Sequence, residues 1–168
     1  MKKLSILLLL AAAVASIYGC GYSLVAGNSA VLRGQSVSVK MFANRTYQAN
    51  IESEFRRALV NELVSRGQIV GNDAPDFEIS GEIVSLSIET VAFSALDRAM
   101  MYRVVIEIRM QLSERKNGKV VWKGGEVVSQ EYPATTDLAL QRNAREAAMV
   151  SICATAAQRL TASMNQSF

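Results

Sequence analysis

"YRVVIEIRMQLSERKNGKVVWKGGEVVSQEY", residues 102–132, is the stretch whose reading decides the fold. Tyr102, Val104, Ile106, Ile108, Met110 and Leu112 fall on every second position, with Arg103, Glu107, Arg109 and Gln111 between them. Successive side chains of an extended chain point to opposite faces, so this alternation predicts a strand with one buried and one wet face. Asn117-Gly118 inside "RKNGK" then supplies residues that accept the positive φ of a tight hairpin, and "VVWKGGEVVSQEY" returns antiparallel. A sheet with a single apolar face needs a cover, which the rest of the chain has to provide.

Upstream, "FEISGEIVSLSIETVAF" (77–93) reads as another long strand, preceded by the turn "NDAPD" (72–76), in which Asp73 and Asp76 are turn formers. Its apolar phase changes from Phe77, Ile79 and Ile83 to Val84, Leu86 and Ile88, the one-residue slip that a bulge produces, and Gly81 nearby suits one. "SVSVKMF" (36–42) predicts a half-buried strand with Val37, Val39 and Met41 on one face and Ser38 and Lys40 on the other. In "NIESEFRRALVNELVSRG" (50–67), Ile51, Phe55, Ala58, Leu59 and Leu63 recur at helical spacing, and Arg66-Gly67 closes the helix. From Asp137 an Ala-rich helix puts Met149, Ile152, Cys153, Ala156 and Leu160 on one face, capped by Asp137 or Thr136. Strand, helix, three strands, helix predicts an α+β two-layer sandwich: a four-stranded mixed sheet with both helices packed on one face and the first strand parallel to a neighbour. The far, polar face is left for water or a partner.

The N-terminus carries an address. Lys2 and Lys3, the apolar run Leu4 to Val14 and the mostly small residues Ala15 to Gly19 have secretory-signal architecture. The run is short of the ~20 apolar residues that span a bilayer and lacks stop-transfer charges behind it. Ile17-Tyr18-Gly19-Cys20 resembles the bacterial lipoprotein signal, with an aliphatic residue at minus three and a small one at minus one; Tyr18 is unusual at minus two. The resemblance implies cleavage before Cys20 and acylation of that cysteine, each chain contributing ~0.8 kcal/mol per buried methylene. Gly21, where Asp would favour retention in the inner membrane, implies sorting to the cell outer membrane. The organisation is then residues 1–19 as signal peptide, 20–35 as a lipidated tether with turn signals at Gly21, Gly27, Asn28 and Gly34, and 36–168 as the domain.

Lys and Arg number 18 and Asp and Glu 15, so loss of Lys2 and Lys3 with the leader lowers the formal charge from +3 to about +1. No basic block or interleaved aromatic run supports nucleic-acid binding. There is no histidine, and no C-x-x-C, H-E-x-x-H, P-loop or dinucleotide signature. Hydrolases and transferases need a tuned acid–base group or nucleophile; with Cys20 lipidated, Cys153 is the remaining thiol, and its place on an apolar helix face reads as a small buried hydrophobe. No catalytic residue, metal or cofactor is expected. "NRT" (44–46) reads as a turn.

"CGYSL" at 20–24, "VKMFANRTYQANIESEFRRALVNELVSRG", "APDFEISGEI", the strand-turn-strand of residues 102–124 and "EYPATTDLALQRNAREAA" together resemble the LptE family of lipopolysaccharide-assembly lipoproteins, in order and over nearly the whole mature chain. The resemblance implies a non-enzymatic partner of the outer-membrane β-barrel LptD, plugging the barrel, helping it assemble and helping pass lipopolysaccharide to the outer leaflet. It also implies cations for lipopolysaccharide phosphates: Arg98 in "SALDRAMM" (94–101), with Arg142 and Arg145 at the start of the last helix, since a guanidinium forks onto phosphate oxygens. Met100 and Met101 beside Arg98 are placed to meet acyl chains or barrel wall. Two other functions fit parts of the pattern. Activators of peptidoglycan synthases also carry a strand followed by F-x-N-x-T, here Phe42, Asn44 and Thr46, and an envelope enzyme would act through clustered carboxylates.

Overall fold

The computed structural model describes Leu32, residues 34–71 and residues 73–167. The leader, Cys20 and most of the tether lie outside the described residues. The decisive stretch forms two strands, β5 (Ala99–Glu114) and β6 (Val120–Pro133), and β5 pairs antiparallel on its other side with β4 (Phe77–Phe93). Gly118 at φ 68° turns the β5–β6 hairpin, while the Asn117 side chain accepts from Lys119 N–H at 2.8 Å.

Three further strands join them. β1 (Ser36–Val39) lies parallel to β4, β3 (Ile69–Val70) lies parallel to β1 at the sheet edge, and β2 (Ala43–Asn44) pairs with β4 beyond β1. The sheet order is β3-β1-β4-β5-β6, with β2 beside β4. The mixed α+β sheet is as expected; the count of four strands is corrected to six. β2 and β3 are two residues each, too short to show the alternation by which a strand is read from sequence.

Helix α1 (Ile51–Ser65) and helix α2 (Leu138–Gln166) cover one face. Ile51, Phe55, Leu59 and Leu63 of α1 and Met149, Ile152, Cys153, Ala156 and Leu160 of α2 are buried against Val37, Val39, Ile79, Ile83, Val104, Ile106, Ile108 and Leu112 of the sheet. Every residue of this core lies between Leu32 and Met164. α1 ends as its Arg66-Gly67 predicts: Gly67 takes φ 78°, Gly67 N–H donates to Val64 O at 2.9 Å and Gln68 N–H to Leu63 O at 3.0 Å, which satisfies two terminal carbonyls. α2 starts at Asp137, whose carboxylate accepts from Ala139 N–H at 2.8 Å and Leu140 N–H at 3.1 Å.

One phase detail differs from expectation. Met41 is 58% exposed and Phe42 takes the buried place, because β1 stops at Val39 and the chain bends before β2. The bulge expected in β4 falls between Ile83 and Ser85, at Val84, where the apolar phase changes; two further register shifts follow, between Thr90 and Ala92 and between Ala92 and Phe93. The extra residue at Val84 keeps both Ile83 and Leu86 opposite the buried positions Ile108 and Ile106.

Candidate functional site

Three connections gather at one end of the sandwich: the β4–β5 turn, the link from β6 into α2, and the link from β2 into α1. Ala134 N–H donates to Met100 O at 2.9 Å, tying the second to the first. Arg145 Nη2 donates to Gln48 Oε1 at 2.7 Å, tying α2 to the third. The described chain begins at the opposite end, since β1 pairs with the start of β4. Loops at one end of a rigid scaffold are where binding groups are affordably varied.

The β4–β5 turn is closed by Ser94. Its N–H donates to Arg98 O at 2.8 Å, its carbonyl accepts from Asp97 N–H at 3.0 Å, and its hydroxyl accepts from Leu96 N–H at 3.3 Å and Arg98 N–H at 3.2 Å. Asp97 adopts the left-handed conformation at φ 53°. The main chain of the turn is thereby fixed while its side chains face out: Phe93, Leu96 and Met100 are 60%, 76% and 54% exposed. The Arg98 guanidinium has no hydrogen bond or ion pair among the described residues. Phe93 and Leu96 were not singled out from sequence, where they read as the tail of a strand and a loop residue; the available signal was a four-residue turn, Ala95 to Arg98, flanked by apolar side chains.

Arg142 and Arg145 lie together, apart from the Arg98 turn. Both line an open groove of about 470 Å³ whose other walls include Gln48, Asn50, Glu54, Glu146 and Met149. Asn50, at φ 63°, makes no side-chain cap for α1. Arg142, like Arg98, has no side-chain partner among the described residues. Burial pushes the Tyr132 phenol up, and the nearby Arg145 cation opposes that shift only in part.

The far face of the sheet is largely polar, and several of its charges are paired. Lys40 bonds Glu78 at 2.7 Å, and Arg109 bonds Glu107 at 2.9 Å while lying 3.9 Å from Glu82. A hollow of about 650 Å³ opens there over Ser80, Glu82, Gln111, Lys123 and Gly125. It is larger than the arginine groove yet holds no set of groups arranged for acid–base chemistry.

The residues considered for catalysis have structural places. Cys153 is fully buried, and burial pushes its thiol up to about 12, so it is protonated and unreactive at neutral pH. Asp76 clamps β1 to β4: its carboxylate accepts from Ser36 N–H at 2.8 Å and from the Ser36 hydroxyl at 3.0 Å, which holds it below the usual carboxylate range. Among the described residues no group of three metal-ligating side chains assembles, and no helix is long and apolar enough to cross a membrane.

The fold is similar to that of several solved bacterial proteins, lipoproteins among them. Rare lipoprotein B from Shewanella oneidensis aligns with a TM-score of 0.57 at 15% identity, over 79% of this chain and 95% of that one. A minor lipoprotein from Acinetobacter baumannii aligns at 0.52 and 10% identity, over 79% and 92% of the two chains. The PelC dodecamer from Paraburkholderia phytofirmans aligns at 0.51 and 16% identity, over 75% and 88%. At these identities the likeness is one of fold alone, and among curated proteins none matches the sequence. The sequence itself decides more: residues 34–164 match the lipopolysaccharide-assembly family LptE, and the chain belongs to that family.

Proposed function

We propose that this chain is an outer-membrane lipoprotein, cleaved before Cys20 and anchored by its acyl chains, that plugs the LptD barrel, supports its assembly and assists delivery of lipopolysaccharide to the outer leaflet. The family match over residues 34–164 carries the reading. Lipopolysaccharide assembly is the work of that family, and no catalytic activity is indicated by membership in it. A plug role is supported by a far sheet face that is largely polar, as a wet and polar barrel lumen allows, and by a core formed within the chain itself. Within this reading Arg98, Arg142 and Arg145 are the cations that meet lipopolysaccharide phosphates, residues 1–19 are the signal peptide, and 20–35 the tether.

Capture of the lipoprotein from solubilised outer membrane tests the assignment. A large β-barrel should come with it in stoichiometric amount, and intact mass should show a chain starting at an acylated Cys20. Recovery of a penicillin-binding protein in place of a barrel would instead identify an activator of peptidoglycan synthesis.

A further inference from the structure

The sheet ends at β6, whose 14 residues pair with β5 on one side and, among the described residues, with no strand on the other. A long row of unpaired backbone groups is commonly blunted by a bulge or a covering element. From Trp122 to Pro133 the pairing of β6 with β5 runs without a shift, so no bulge twists this edge away. One local cap is present, Gln130 Nε2 donating to Glu131 O at 3.0 Å. On the far face the edge carries Lys123, Gly125, Val127, Ser129 and Glu131 in alternation. Val127 is 60% exposed. Lys123 has no side-chain partner among the described residues. Glu131 is paired with Arg103, yet both guanidinium bonds, at 3.1 and 2.6 Å, go to Oε1, which leaves Oε2 open to a second cation.

A two-fold axis through Val127 turns this pattern onto itself. Antiparallel pairing of β6 with β6 of a second copy then sets Val127 against Val127, Gly125 against Ser129, and Lys123 against Glu131, the last twice. Moving the axis by one residue sets Lys123 against Ser129 or Pro133 and loses both ion pairs. Opposite charges and β-branched side chains directly across two strands favour pairing, and a symmetric interface requires such self-complementarity. We propose that β6 is a homodimer edge, through which two copies of this chain pair antiparallel about Val127 and join their six-stranded sheets into one. The occupant is a second copy because the charges of the edge answer its own sequence, a match that a general acceptor of strands would not need. The pairing uses neither the loop end nor its arginines, and so stands apart from lipopolysaccharide handling; beside the plug role it belongs to the lipoprotein free of its barrel.

The test uses the full lipoprotein, purified in mild detergent without a barrel. Sedimentation should show a reversible, concentration-dependent dimer. Val127→Lys puts two like charges on the axis at a position already exposed, and should weaken the dimer at least tenfold with an unchanged melting temperature. Lys123→Glu, set against a second copy's Glu131, should do the same. Under mild oxidation Val127→Cys should form an intermolecular disulfide, with the wild type as blank since Cys153 is fully buried. Ser129→Cys should not, because its two copies would stand four residues apart along the strands, about 13 Å at ~3.3 Å per residue. A wild type that stays monomeric at every concentration reached, a dimer indifferent to either charge substitution, or equal cross-linking from positions 127 and 129 overturns the pairing. Growth beyond two copies overturns it as well, since an interface about a two-fold axis closes at the dimer.

Discussion

Phe42 shows how much one residue can settle. Its ring is 2% exposed and meets Phe55 of α1 edge-on at 4.9 Å, and it fits because position 81 is glycine: a Cβ there would lie 2.1 Å from Arg109 O and 2.6 Å from Phe42 Cε1. Gly81→Ala should therefore destabilise the domain by about 1–3 kcal/mol through overpacking, and Phe42→Ala by about 3–5 kcal/mol through the cavity left; urea unfolding measures both. Asn44 and Thr46 complete the same corner. Asn44 Oδ1 accepts from Thr46 N–H at 2.9 Å, and its amide donates to Gln48 O at 2.9 Å and to Glu52 at 2.8 Å. The F-x-N-x-T pattern is thus a structural corner between β1 and α1, which is why it is compatible with more than one function. Asp76 gives a pH dependence. Its folded-state ionisation lies below the unfolded value of ~3.9, so the stability it contributes is present above that value and lost as pH falls through the lowered one. Asp76→Asn should flatten the decline of the urea midpoint below pH 4 and leave the slope near pH 7 unchanged. Cys153, by contrast, should resist alkylation by iodoacetamide at pH 8 in the native protein and react only on unfolding. Cys153→Ser should leave barrel co-purification intact, at a cost of about 1–3 kcal/mol for the buried hydroxyl.

At the level of elements, what could be read in advance was what repeats. β5, with six alternating apolar residues, α1 and the buried face of α2 stand where their periodicities place them, because burial on one face imposes a period on the sequence. β2 and β3 escape that logic: each is held by a neighbour's backbone groups, and two residues carry no period. The bulge of β4 at Val84 was legible as the change of apolar phase after Ile83, whereas the register shifts on either side of Ala92 depend on which residues of β5 they must face, a long-range fact. The β4–β5 turn was the hardest element to read, since exposure of Phe93 and Leu96 is decided by the absence of a covering element and not by local pattern. Capping, a local matter, was legible. Asp137→Ala removes the acceptor for two N–H groups at the start of α2, and should cost about 1 kcal/mol, seen as a lowered melting temperature with the sheet signal in circular dichroism retained.

For the whole molecule, the arrangement of charge matters more than its total. Acidic and basic side chains on the far sheet face are largely matched, as in Lys40–Glu78 and Arg103–Glu131 at 2.7 and 2.6 Å, whereas Arg98 and Arg142 at the loop end have no side-chain partner among the described residues. A surface whose charges are already paired attracts an anion weakly; a pair of free guanidinium groups at one end attracts it strongly at low salt and less so as the Debye length shrinks to ~10 Å at 0.1 M. Each phosphate contact of this type contributes roughly 1.5–3 kcal/mol. Arg98→Glu combined with Arg142→Glu should therefore weaken lipopolysaccharide binding by well over tenfold at low ionic strength, with a smaller ratio at high salt. Barrel co-purification and the urea midpoint should not change, since neither side chain contributes to the core. Arg103→Glu, which breaks a paired charge on the far face, is the matched control and should alter binding little. Equal losses from the control and the double variant would mean that overall charge, and not the loop end, governs the encounter with lipopolysaccharide.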